Sequence, residues 1–170
     1  MRVVVVPSTL ALLPEYASLE DPIPDLRSAV IAAVDWLTEG GQVSGVAGSA
    51  SGQRVVDHLL GRAAAAVPGI LVAANGSAMR TEKAPGHFDE RSAGFDKRVG
   101  AALAAGDLEA LAGLDLALAA ELWAGDDAAV LAALGRRLAA GSRVASASVD
   151  YDDAPYGVQY WVVRWELEDR

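Results

Sequence analysis

The chain has 170 residues, 52% of them hydrophobic, enough for one domain with a sizeable core and marginal for two. Its formal net charge is −9. That balance speaks against nucleic acid, whose affinity comes mostly from Lys and Arg neutralising phosphates. The chain has no cysteine, which excludes disulfides, thiolate zinc sites, iron–sulfur clusters and cysteine nucleophiles.

No apolar run approaches the roughly 18 residues of a membrane span. The longest, Ala63 to Ala74, is interrupted by Pro68-Gly69. The opening Met1 to Pro7 is too short and too β-branched for a secretory signal, so a cytoplasmic protein is expected. The alanine-rich composition suits a high-GC bacterial genome.

Arg2 to Val6 is a continuous β-branched run ended by Pro7, the pattern of a strand buried on both faces. Ser8 to Pro24 is a loop punctuated by prolines, and Asp25 is the expected N-cap of a helix carrying Leu26, Val30, Ala33, Val34 and Leu37. Gly40-Gly41 stops that helix. Gln42 to Ala47 reads as a second strand and Gly48 to Gly52 as a small flexible loop. Val55, Val56, Leu59, Leu60 and Ala63 mark a second amphipathic helix, ended by Pro68-Gly69. Ile70 to Ala74 is a third buried strand, closed by Asn75-Gly76-Ser77.

Met79 to Glu90 is polar and contains Pro85-Gly86, a loop long enough to suggest a functional role. Phe95, Val99, Ala102 and Leu103 define a helix that stops at Gly106. Short helical pieces follow at Leu108 to Leu111 and Leu116 to Trp123, then a longer helix with Val130, Leu131, Leu134 and Leu138. Arg143 to Tyr151 and Gly157 to Leu167 read as two strands joined by Asp152 to Tyr156. Strands alternating with helices argue for a parallel sheet covered on both faces. The expected architecture is a single α/β domain over 1–170. It is a three-layer α/β/α sandwich, its sheet mainly parallel with a C-terminal antiparallel hairpin.

Several stretches, in order, carry a resemblance to a known family. They are Pro7 to Glu15, Ala84-Pro85-Gly86, Phe95-Asp96, Gly106-Asp107, Leu114-Asp115, and Pro155-Tyr156-Gly157-Val158 with Tyr160. In these the chain resembles the LigB-like proteins, the catalytic β subunits of class III extradiol ring-cleaving dioxygenases and their bacterial relatives. The resemblance runs from the first strand to the last, with a shortening in the middle.

Family enzymes hold ferrous iron with two histidines and a glutamate, leaving positions open for catechol and oxygen. A further histidine serves as acid/base. In this chain the place of the first iron histidine is Ser8, and the stretch matching the second, Gly45 to Gly52, has no histidine. The acid/base position falls at Ala78 and Met79, and the glutamate near Gly125-Asp126-Asp127. The mechanism needs three histidines and the chain has two, His58 and His87. The resemblance therefore implies a relative that is not an active extradiol dioxygenase, with a degenerate metal site and no retained Fe(II) cofactor. By the same analogy it implies a homodimer, formed through exposed helices or the last strand.

The remaining candidates each have two readings. His58, inside the second helix, is a surface histidine or one ligand of a relocated site. His87 either braces its loop beside Asp89 or forms, with Asp89 or Glu90, a weak metal site or proton shuttle. Asn75-Gly76-Ser77 is a strand-ending turn or a cradle for a small anion, assisted by Arg80 and Lys83. A P-loop spacing is absent. Ser8 lacks the Gly-x-Ser-x-Gly setting of a nucleophile. Asp150, Asp152 and Asp153 are turn residues or calcium ligands. Trp161 and Trp165, sharing a strand face with Val163 and Leu167, are core or a subunit interface.

Three functions follow. The first is a non-catalytic protein that keeps the scaffold for binding or assembly. The second is a metal-dependent enzyme, dioxygenase-like or hydrolytic, rebuilt around His87, Asp89, Ser77 and Arg80. The third is a binder of a small anion or small molecule at the turn after the third strand.

Overall fold

A computed structural model describes residues 1–39, 43–61 and 69–170. Gly40, Gly41, Gln42, Ala63 and Pro68, which the sequence assigns to element ends, lie outside the described residues.

Five strands form one sheet: β1 (Arg2–Val6), β2 (Val43–Ala47), β3 (Gly69–Ala73), β4 (Ser142–Asp153) and β5 (Tyr160–Asp169). Their order is β2-β3-β1-β5-β4. The pairs β1–β3 and β2–β3 are parallel, whereas β1–β5 and β4–β5 are antiparallel. The sheet is therefore mixed, where the sequence suggested a mainly parallel one. The C-terminal hairpin lies at one side of the parallel strands, as expected, but it docks antiparallel on β1, so the antiparallel pairs equal the parallel ones in number.

Residue alternation places β1 at the centre. Val3 and Val5 face one apolar cluster, Val4 and Val6 the other, and all four are fully buried. The Val4 and Val6 side is packed by α1 (Pro24–Thr38) and α2 (Ala50–Leu60) through Leu26, Val30, Leu37, Val55 and Leu59. The Val3 and Val5 side is packed by α3 (Arg91–Ala105), α4 (Leu108–Ala112), α5 (Leu116–Glu121) and α6 (Gly125–Ala139). Trp161 and Trp165 are each 1% exposed in that second cluster, so their stripe is core. The indole N–H of Trp165 donates to the Leu103 carbonyl at 2.9 Å.

Several helix ends depart from the sequence reading. Helix α1 starts at Pro24, with Ile23 at the N-cap and no capping side chain, so Asp25 lies in the first turn. Proline suits that first position because its missing N–H would have had no helical partner. Helix α2 begins inside the stretch read as a loop. Ser49 caps it by accepting from the Gly52 amide. The loop after β1 holds two 3-10 turns, Leu10–Leu12 and Pro14–Tyr16. The long polar segment before α3 is without regular structure, and α3 ends at Gly106. Strand β4 runs through Asp153, so Asp150, Asp152 and Asp153 belong to a strand and not to the hairpin turn. No helix among the described residues is long and apolar enough to cross a membrane.

Candidate functional site

Two buried carboxylates organise the carboxyl ends of the parallel strands. Both sit on the apolar stripe of a helix. Asp127 precedes Leu131, Leu134 and Leu138 by 4, 7 and 11 positions, and Asp96 precedes Val99 and Leu103 by 3 and 7. A helix carries such residues toward the core together with its leucines. Asp96 is 2% exposed and Asp127 9%.

Asp127 ties together the chain leaving β1 and β3. Its Oδ2 accepts the Ser8 hydroxyl at 2.7 Å and the Asn75 amide at 2.9 Å. Asn75 Oδ1 in turn accepts the Ser8 amide at 2.9 Å, which closes a ring of three residues. Asp127 Oδ1 is buried and has no hydrogen-bonding partner among the described residues. Burial is the largest influence on the Asp127 carboxyl and raises its pKa above the ordinary aspartate value. The bonds from Asn75 and Ser8 oppose that rise, and neighbouring Asp126 adds to it.

Above this ring lies a cleft of about 570 Å³, lined by Ser49, Ser51, Trp123 and Asp126 besides the ring itself. Gly48 brings β2 into this region. A Cβ there would stand 2.3 Å from the Asp126 carbonyl oxygen, so only glycine lets the end of β2 meet the first turn of α6. Trp123 is 61% exposed with left-handed backbone at φ 59. The Trp123 amide donates to the Ala120 carbonyl and the Ala124 amide to the Ala119 carbonyl. Trp123 therefore occupies the position where helices usually place glycine. Helix α3 closes with the same two bonds, and there the position is Gly106.

Asp96 organises the second cluster. Its Oδ1 accepts the Ser77 amide at 2.8 Å, and its Oδ2 accepts the Ser77 hydroxyl at 2.6 Å. Arg80 reaches the same oxygen at 3.3 Å and also donates to Gln159 Oε1. Gln159 donates onward to Asp152 at 2.7 Å. Burial raises the Asp96 pKa and outweighs the opposing bonds from Ser77 and Arg80. The network fixes the turn after β3: the Asn75, Gly76 and Ser77 amides donate to Asp127, the Gln159 carbonyl and Asp96 respectively. The cradle anticipated for an external anion is thus filled by two carboxylates of the chain and a carbonyl.

The sequence candidates are divided between these places. Ser8 belongs to the Asp127 ring, while Ser77 and Arg80 belong to the Asp96 network. Asp89 is committed to Arg91, whose guanidinium binds it at 2.7 Å and holds its carboxyl down at about 2. His87 is exposed, with left-handed backbone at φ 60 and its amide bound to the Ala84 carbonyl. His58 is half-buried beside a pocket between α1 and α2 that also involves Leu12 and Val30. Of the carboxylates near the hairpin, Asp150 pairs with Arg164 at 2.6 Å, Asp152 accepts from Gln159 and Asp153 from the Ala154 amide. Among the described residues, no three His, Asp or Glu side chains gather as a metal site would require. The donors at the Asp127 ring are hydroxyl, amide and a single carboxylate with no imidazole, which does not fit the facial triad of a ferrous dioxygenase.

The sequence singles out neither Asp96 nor Trp123 for binding, and it brings in Asn75 only as part of an anion cradle and Asp127 only near the place of the iron glutamate. For the two aspartates a signal was there to find: each is a carboxylate on an otherwise apolar helix stripe. Asn75 and Trp123 carry no such mark, because their placement depends on neighbours distant in sequence. Fold and site together define a mixed-sheet α/β protein with a buried Ser–Asn–Asp ring beneath an open cleft at the strand ends. No protein-family model matches the sequence, and no curated protein matches it.

Proposed function

We propose that the chain is a non-catalytic binding protein on an extradiol-dioxygenase-like scaffold, with a degenerate metal site and a cleft that holds a small organic molecule. The observation that carries this reading is the Ser8–Asp127 hydrogen bond across 119 residues. The resemblance puts an iron histidine at the place of Ser8 and the iron glutamate near Asp127. Ser49 and Ser51, from the stretch matched to the second histidine, line the same cleft. The three places that the resemblance assigns to iron ligands lie around one cleft, with serines at the two histidine places and Asp127 near the glutamate's, which supports a degenerate site. Helices on both faces of the sheet support reading the architecture as a three-layer sandwich over 1–170. On the same analogy the protein is homodimeric, and a cytoplasmic location is proposed with it.

Metal content tests the proposal. Protein purified without oxygen or chelators is offered ferrous iron and analysed by plasma mass spectrometry. The expected result is below roughly a tenth of a metal per chain, because one carboxylate with hydroxyls is a poor site for iron. Near-stoichiometric metal that disappears in His87→Ala would overturn the reading in favour of a rebuilt metal enzyme.

A further inference from the structure

We infer that the cleft over the Ser8–Asn75–Asp127 ring selects an organic ammonium ion, with the ligand's cation toward Asp127 and its body against Trp123. The inference rests on the proposed reading of this cleft as a binding site and adds the chemical class of the ligand.

Charge is the first argument. Among the described residues lining the cleft, the charged ones are Asp126 and Asp127, with no Lys, Arg or His. The remaining polar groups include Ser8, Ser49, Ser51 and Asn75. A carboxylate or phosphate ligand would find no cation there to offset two acids. The chain's net charge of −9 favours the approach of cations and disfavours anions.

The second argument is independent of the first. Asp127 is nine-tenths buried and lines the cleft, yet its Oδ1 lacks any partner among the described residues. A buried carboxylate oxygen without a donor is costly, and a charge-assisted bond from an ammonium N–H is the strongest way to satisfy it. The Asp χ2 torsion is broad. That freedom lets the carboxylate adjust to a donor entering the cleft.

The third argument concerns the wall. Trp123 presents a large, mostly exposed indole to the cleft. An aromatic face attracts a cation through its quadrupole and stacks on a flat ligand. Acid below and indole beside form the usual two-part recognition of an organic ammonium.

The test uses the full chain and three probes of one shape: benzylammonium, benzyl alcohol and benzoate, each titrated by calorimetry and by NMR. Benzylammonium is expected to bind at least about tenfold tighter than benzyl alcohol, to weaken with added salt, and to outcompete benzoate entirely. Asp127→Asn, shown by its melting curve to be folded, is expected to remove most of that preference. Trp123→Gly is expected to weaken all ring-bearing probes, and it decides the matter if Asp127→Asn does not fold. Equal binding of benzyl alcohol, or tighter binding of benzoate, would overturn the ammonium assignment while leaving the cleft a binding site. No binding of any probe would overturn the assignment and the binding role together, whatever the metal assay shows.

Discussion

At the scale of single residues, Asp127 carries the most consequence. Its pKa in the folded chain lies above the ordinary 3.8, chiefly because of burial. Between those two values the folded chain keeps a proton that the unfolded chain releases. The group's contribution to stability is therefore greatest below the ordinary value and is lost as pH rises through the folded one. Asparagine at this position does not titrate. The melting temperature of the wild type should accordingly gain on that of Asp127→Asn as pH falls from neutrality toward the ordinary value of 3.8. A constant difference between the two proteins over that range would refute the assignment. His87 offers a second test. It is an exposed non-glycine residue at φ 60, so His87→Gly should raise stability by about 1 kcal/mol in urea titrations. A loss of stability would show that the imidazole holds the loop.

At the scale of elements, two helix ends make the same turn with opposite residues. Helix α3 closes on Gly106, whereas α5 closes on Trp123. Relief of left-handed backbone predicts that Trp123→Gly stabilises the fold by about 1 kcal/mol, read as a higher urea midpoint. Should its stability fall instead, the indole is packing rather than lining a site. The turn after β3 has no such tolerance. A Cβ on Gly76 would stand 2.6 Å from both Asp96 Oδ1 and Trp161 Cη2, and 2.7 Å from Gln159 Cβ. These groups are buried and held by hydrogen bonds or packing, so Gly76→Ala should cost about 1–3 kcal/mol. A urea midpoint equal to wild type would mean that the Asp96 network can yield. The edge strand β4 raises a different question. It is largely exposed, and its pairing with β5 shifts register between Val144 and Ser146 and again between Val149 and Tyr151. Irregularities of this kind make an edge a poor template for another strand. The last strand β5 lies between β1 and β4 and so offers no free edge to a second chain.

At the scale of the whole molecule, the sequence by itself determined the number and kind of the main elements. It also determined which faces are apolar. These are local properties: β-branched runs such as Arg2 to Val6, helical spacing such as Leu26 to Leu37, and the alternation of Trp161 to Leu167. Burial follows such patterns directly because apolar area leaves water wherever the pattern allows it. Only the tertiary structure decided that the final hairpin docks antiparallel on β1, which turns the sheet from mainly parallel to mixed. It also decided that Ser8, Asn75 and Asp127 close one ring, that Asp96 takes Ser77 and Arg80, and that Asp89 is committed to Arg91. Pairing between strands joins residues as distant as Arg2 and Glu166, and pairing between polar side chains joins Ser8 to Asp127 across 119 positions. No periodicity records such a partner, because the choice is made by how the helices and the sheet pack.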